Sequence, residues 1–409
     1  MESLATSAPV TGPGQASETA GLLCVCAAGF AFSVSYTNHA PVVPALIAEF
    51  HFSQAMAGLL TTGIFLTHAA MQIPAGHVAD RLGSTRVLAA ALAIVGLANL
   101  GIGFASAYTH LLWWKIFAGL GTGACFVSGA RYITGLFTGP RMHLAQGLYG
   151  GSVLLGSGFV IFAVPQFLAA FGWRGTFFAT ACLALAVLAA WMLAAPRPPA
   201  PPRASGSFAG MLTDPQLWML GLVQMASFGL AIVAGSWIAA LLRNSLGASP
   251  ARAGLAGSLV LLLGIVTRPL GGVLAPRFGV PATLRAGLLG CIAGCFLLGA
   301  GTPSWQTALP AIVLLGAGCG LPYAGLFNRA AACYPGRAGA AMGLVNMLGV
   351  GMILAGAPLV GHLADWTGSF RSGFLALGVF AALALAATWG IGAQAAAPRR
   401  ADHPPETLP

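Results

Sequence analysis

Apolar runs of about twenty residues or more, separated by short polar or Pro/Gly-containing breaks, recur along the whole chain. Twelve can be marked, at 22–46, 56–78, 87–106, 111–136, 144–169, 174–195, 216–241, 254–274, 282–301, 306–327, 339–362 and 370–394. Each is long enough to cross about 30 Å of hydrocarbon at about 1.5 Å of helix rise per residue. None keeps the alternation of a barrel strand, and backbone groups in lipid must bond internally, so the runs predict helices. The fold class expected is an all-α membrane protein of twelve transmembrane helices in two pseudo-symmetric six-helix bundles.

Composition agrees with lipid as the solvent: of 409 residues, 57% are hydrophobic and only 6% charged. Disorder, a collagen repeat and a soluble multidomain chain are excluded. The eight Cys lie almost entirely inside apolar runs, where they read as small buried hydrophobes rather than a disulfide framework or metal ligands. The net charge of +10 would suggest nucleic acid in a soluble chain. Here twelve of the cations, among them Arg81, Arg86, Arg131, Arg197, Arg329 and Arg337, cluster at the face that carries both termini. Only Arg174, Arg243, Arg252 and Arg371 fall at the other, while Lys115 and Arg268 fall inside spans. That bias predicts cytoplasmic termini in a bacterial inner membrane, with no nucleic-acid partner.

The first twenty residues are polar and lack Lys and Arg, and the apolar run behind them is too long for a signal peptide. The organisation expected is a cytoplasmic tail at 1–20, an N-terminal bundle at 21–195, a Pro-rich connector at 196–214 without helix, a C-terminal bundle at 215–395 and a second tail at 396–409. The halves repeat. At an offset of 196 residues Gly76 pairs with Gly272, Arg81 with Arg277 and Gly83 with Gly279, and Gly119, Gly121 and Gly123 fall one further on against Gly316, Gly318 and Gly320. Parallel repeats of this kind imply a pseudo-two-fold axis along the membrane normal.

The segment GHVADRLGSTR, from Gly76 to Arg86, resembles the loop signature of the major facilitator superfamily, and KIFAGLGTG, from Lys115 to Gly123, is similar to that family's fourth-helix motif with Lys in place of Arg. GWRGTFF at Gly172 and GHLADWTGSF at Gly361 resemble its entries to helices six and twelve. The resemblance implies a carrier whose halves rock about a central cavity, with Gly76, Asp80, Arg81, Gly83, Arg86 and Lys115 as the gating motif. Asp80 can face the positive end of a neighbouring helix, while Arg81 and Arg86 can hold carbonyl ends or anionic membrane lipid. Lys115, the only Lys, is expected to snorkel towards the nearer surface.

Arg268 lies nine residues before Arg277, which places it about 13 Å into the hydrocarbon and close to the midplane. A cation there costs on the order of 3 kcal/mol and should meet a water-filled cavity or a partner. No Asp or Glu of the chain lies inside a span to pair with it. The repeat sets Gln72 opposite it. A guanidinium with an amide and no carboxylate suits a small anion, and the planar fork suits a carboxylate or a nitrate-like oxyanion. The run TRPLGG, from Thr267 to Gly272, resembles the eighth helix of nitrate/nitrite, monocarboxylate and oxalate/formate carriers. Gln72 stands where nitrate/nitrite porters show a second Arg, which sets a monocarboxylate or a cyanate-like ion ahead. Further candidates for substrate contact are Tyr36 and His39, spaced to share a helix face, His68 one turn before Gln72, Tyr323 after Pro322, and Asn346 near the depth of Arg268.

The function expected is secondary active transport of a small organic or inorganic anion by alternating access, without cofactor or metal. Coupling would fall to a proton carried by His39 or His68 or by the substrate, or to a counter-anion. The alternatives are a drug or metabolite exporter of the same fold, a receptor without flux, or a membrane-embedded enzyme. No HExxH, GxSxG or CxxC motif supports an enzyme, and the His-Asp pairs of GHVAD and GHLAD fall at opposite faces.

Overall fold

The computed structural model describes residues 15–199, 207–302 and 304–391. The second tail, residues 200–206 of the connector and the first fourteen residues lie outside these. Helix α1 runs Gln15–Thr37 and resumes as Val43–Phe50, and it is followed by α2 (Gln54–Leu82), α3 (Ser84–Gly103) and α4 (Tyr108–Leu136). A continuous helical stretch, Gly139–Ala194, turns at Gly172, whose φ of 68° ends one span and starts the next. It therefore supplies α5 (139–171) and α6 (173–194). The second half holds α7 (Pro215–Leu246), α8 (Pro250–Phe278), α9 (Val280–Ala300), α10 (Trp305–Gly320 and Pro322–Cys333), α11 (Ala338–Thr367) and α12 (Phe370–Ala387). Among the described residues the count is twelve spans in two six-helix halves.

Two boundaries differ from the sequence reading. Helix α1 begins inside the stretch expected to be a tail, where Gln15, Ala16 and Glu18 favour helix and Glu18 pairs with Arg141 at 3.0 Å. Within the connector, Phe208–Leu212 forms a short helix. It contains no Pro, Ser207 caps it by accepting from the Gly210 amide, and Met211 anchors it in the core.

Three spans are irregular along their length. Helix α1 breaks at Asn38 and His39 and passes through a 3₁₀ turn at Ala40–Val42, where Pro41 cannot donate to the ladder. Helix α7 contains a π-turn at Met225–Gly229. Helix α10 breaks at Leu321, ahead of Pro322. Such breaks persist in lipid only where protein or a cavity satisfies the freed groups.

The halves meet along two crossings, α2 with α11 and α5 with α8. The crossings are built from glycine in the same register. A Cβ on Gly76 would lie 2.3 Å from the Gly339 carbonyl oxygen, and one on Gly272 would lie 2.4 Å from that of His143. One turn deeper, a Cβ on Gly343 would lie 2.3 Å from the Gln72 oxygen and one on Gly147 2.5 Å from that of Arg268. Both pairs of positions are related by the repeat of 196 residues. Bare backbones therefore seal the half of the molecule that carries the termini. Towards the opposite face the same helices diverge around a cavity of about 920 Å³. The molecule is closed on the terminal side and open on the other.

Gly343→Val should force the crossing at Gln72 apart. Spin labels at Leu82 and Ala332, both exposed on the terminal face, are expected to report a longer separation in that variant; an unchanged distance distribution would show that the glycines do not set closure.

Candidate functional site

Arg268 projects from α8 into the crossing of the halves and is only 3% exposed. Its Nη1 donates to the Gly150 carbonyl on α5 at 2.7 Å. The guanidinium lies 4.3 Å from the centre of the Tyr323 ring and 5.5 Å from that of Phe228. Its Nε is buried without a partner. None of the three ion pairs among the described residues involves it. The site is possible because α5 carries Gly147, Gly150 and Gly151 there: a Cβ on Gly150 would sit 2.2 Å from the Tyr323 ring. Arg268 lies well inside α8, but the exposure expected of it is not found. The open cavity is lined by Tyr36, Phe228, Thr61, Ser157, Ser236 and Trp237 among others, with no charged side chain, and Arg268 lies beneath that floor. Aromatic faces and one carbonyl replace the water that the sequence reading called for.

Around this cation the halves contribute polar groups of unequal kind. Tyr36 turns its hydroxyl to the His68 ring, 3.2 Å from Nδ1, and the Gln72 amide Nε2 lies 3.0 Å from His68 Nε2 and donates to the Gly123 carbonyl at 3.3 Å. This chain belongs wholly to the N-terminal half, so Gln72 faces His68 rather than standing across a cavity from Arg268. Gln72 Oε1 remains buried without a partner. On the other side, Gln224 donates to Asn346 Oδ1 at 3.0 Å, leaving Gln224 Oε1 and Asn346 Nδ2 unpaired. The Tyr323 hydroxyl and both polar atoms of the Gln146 amide are also buried without a hydrogen bond of normal geometry. Phe126 joins the two sides, with its ring centre 6.2 Å from His68 and 6.5 Å from Tyr323.

Two expected members stand apart. His39 does not share a face with Tyr36, because α1 ends between them; its Nε2 lies 2.8 Å from Thr61 Oγ1 near the open side. Lys115 does not snorkel. It is 1% exposed, and its Nζ donates to the Ser35 carbonyl at 3.1 Å and to Asn38 Oδ1 at 2.7 Å. The break in α1 places Asn38, which in turn donates to Asn99 and Thr180 and so joins four helices. Lys115 therefore braces the N-terminal half internally and lies outside the closure between halves.

The closure on the terminal side centres on Asp80. Its Oδ1 accepts from Arg131 Nε at 2.8 Å and from the Gly339 amide at 3.0 Å, and its Oδ2 accepts from the Ala340 amide at 3.0 Å. The carboxylate thus caps α11, the positive end of a helix in the other half. Its cation is Arg131, not the adjacent Arg81. Gly83, at φ 91°, turns the chain directly into α3. Arg81 and Arg86 are exposed and line a cavity together with Arg131 and Arg197. In the other half Pro276 stands at the place of Asp80, so the second crossing has no such latch.

Phe228, Gln224, Gln146 and Phe126 are candidate site residues that the sequence reading passed over. Phe228 is presented by the π-turn, which leaves no periodicity signal. Gln146 shares a turn with Gly147 and Gly150, and that glycine run was the available clue.

Two pseudo-symmetric helical halves, sealed on one side and holding a polar core between them, define a multi-pass integral membrane transporter. The chain matches the sequence model of the Major Facilitator Superfamily over residues 25–241 and 217–408 and belongs to that family. It is 24% identical over 354 residues to the "Probable nitrate transporter NarT" of Staphylococcus haemolyticus, covering 84% of this chain and 89% of that protein. It is 24% identical over 370 residues to the "Probable nitrate/nitrite antiporter NarK1" of Thermus thermophilus, covering 82% and 83%. The fold is that of FucP, a family member solved in its outward conformation, with a TM-score of 0.74 and 17% identity over 90% of this chain and 98% of that one. The protein is a secondary transporter rather than an enzyme.

Asp80→Asn removes one charge of a buried pair, a change worth about 3 kcal/mol where the partner is left uncompensated. It should shift the molecule towards opening on the terminal face, read as faster alkylation of a cysteine placed at Ala338 in an otherwise Cys-free background. Equal alkylation rates with and without the substitution would contradict the latch.

Proposed function

We propose that this protein carries a small planar anion of the nitrate/nitrite or monocarboxylate class across a bacterial inner membrane, with both termini cytoplasmic and Arg268 as the group that receives the charge. The observation that carries this reading is the guanidinium held at the crossing without a carboxylate, with Nε unspent. An anion entering from the open cavity would lift the Phe228 and Tyr36 side chains from above Arg268 and take up its free donor, together with the Tyr323 hydroxyl and the Gln146 amide, which make no hydrogen bond of normal geometry. The charge-assisted bonds so formed offset the loss of its hydration. The relatives named for nitrate support the class of cargo.

Exchange against a second anion is the coupling this arrangement favours. With no carboxylate in the core to carry a proton, the empty site keeps a full positive charge, and a counter-anion neutralises it on the return step. A proton taken by His68, the ring that joins Tyr36 to Gln72, is the competing route. Anionic lipid held by Arg81 and Arg86 completes the set of partners. The size of the open cavity, about 920 Å³ without a charged side chain, favours a second reading, export of a larger neutral compound, for which Arg268 would be dispensable.

In proteoliposomes preloaded with nitrate, counterflow of labelled nitrate should be abolished by Arg268→Gln and reduced at least roughly tenfold by Arg268→Lys, a point charge without the fork. Undiminished counterflow by both variants would remove Arg268 from the site. Uptake into nitrate-free vesicles driven by a pH gradient, lost in His68→Ala, would replace exchange with proton symport.

A further inference from the structure

Beneath the closed crossing, on the terminal side, lies a separate cavity of about 330 Å³ between the halves, bordered by Arg131, Thr134 and Met142 of the N-terminal half and by Asn328 and Ala338 of the other. Asn328 is 3% exposed, yet neither atom of its amide has a hydrogen-bond partner. A buried amide left idle in this way costs free energy unless something visits it. Arg131 spends Nε on Asp80 and one Nη1 hydrogen on Thr134 at 3.3 Å, which leaves three of its five N–H groups unassigned. The charge of Asp80 is itself shared with two amides at the start of α11, so it does not use up the field of Arg131. No acidic side chain borders the cavity. On the far side of Arg131 a second cavity, of about 310 Å³, is bordered by Arg81, Arg86 and Arg197. Three more guanidiniums therefore raise the local concentration of anions at this mouth.

We infer that the cavity between Arg131 and Asn328 is a second anion station on the cytoplasmic side, where the transported class of anion is held after release from Arg268 or before entry towards it. The station rests on the reading of the protein as an anion carrier. It adds a consequence for gating. An anion seated between Asn328 and Arg131 competes with Asp80 for the guanidinium and weakens the cap on α11, so a cytoplasmic anion loosens the closure that bars its own way in. Counter-anions would in this way speed the return step that exchange requires.

The test compares nitrate transport in inverted and right-side-out membrane vesicles and takes the ratio of cytoplasmic to external half-saturating concentrations. Asn328→Asp, which sets a negative charge in the cavity, should raise that ratio roughly tenfold. Asn328→Ala, which removes the amide, should raise it several-fold. Should the Asp variant fail to accumulate in the membrane, Asn328→Ser, small and polar, is expected to raise the ratio about as far as Ala does. An unchanged ratio in the variants that accumulate overturns the station. If Arg268→Gln abolishes transport while the Asn328 variants leave the ratio unmoved, the carrier reading stands and the station alone falls. If Arg268→Gln still carries nitrate, the failure lies with the central site instead.

Discussion

A positive charge deep within a membrane-spanning helix, with no negative side chain to meet it among the described residues, is the constraint from which the rest of the site is built. Insertion of an arginine at that depth costs on the order of 3 kcal/mol, and the fold meets the cost in two ways. One carbonyl, that of Gly150, accepts from the guanidinium, and the faces of Tyr323 and Phe228 supply diffuse negative charge. Both require close approach, which explains why α5 is glycine where it faces α8 and why α10 breaks just before Tyr323. The accommodation is incomplete, since Nε stays unpaired. A ligand that brings a negative charge gains what the protein leaves unspent.

The two crossings show how a symmetric frame carries an asymmetric function. Glycine meets backbone at related positions on both, so the terminal side closes as a zipper of main chains. Among the described residues only the crossing of α2 with α11 adds a charge device, in which Asp80 caps α11 of the other half and pairs with Arg131 on α4 of its own. The crossing of α5 with α8 has Pro276 there and instead holds Arg268 a little deeper. One crossing latches and the other binds, and a rigid-body rotation about the axis between them changes both together.

Much of this was legible before any coordinates. The twelve spans, the halves and the register of 196 residues follow from hydrophobic runs and repeated glycines, because lipid leaves helices as the only economical structure. The place of Arg268 well inside α8 follows from counting residues back from Arg277, and the meeting of Asp80 with a helix start from the loop signature. What escaped was the direction of side chains near helix breaks. The separation of His39 from Tyr36, the burial of Lys115 on Ser35 and Asn38, and the presentation of Phe228 all depend on a 3₁₀ turn, a freed carbonyl or a π-turn, none of which alters the average hydropathy. The partner of Asp80 escaped as well: Arg131 reaches it from α4 of the same half, and sequence distance says nothing about which cation does so. The short helix at Phe208–Leu212 shows that Pro-rich composition governs only the residues around the prolines.

The central claim is that Arg268 supplies the charge that holds the cargo, and ligand-dependent stabilisation tests it without any flux. Purified wild-type protein titrated with nitrate should show a melting temperature that climbs with the logarithm of concentration once the site begins to fill, whereas Arg268→Gln should stay flat across the same range at constant ionic strength. A climb of equal size in the Gln variant would contradict the account.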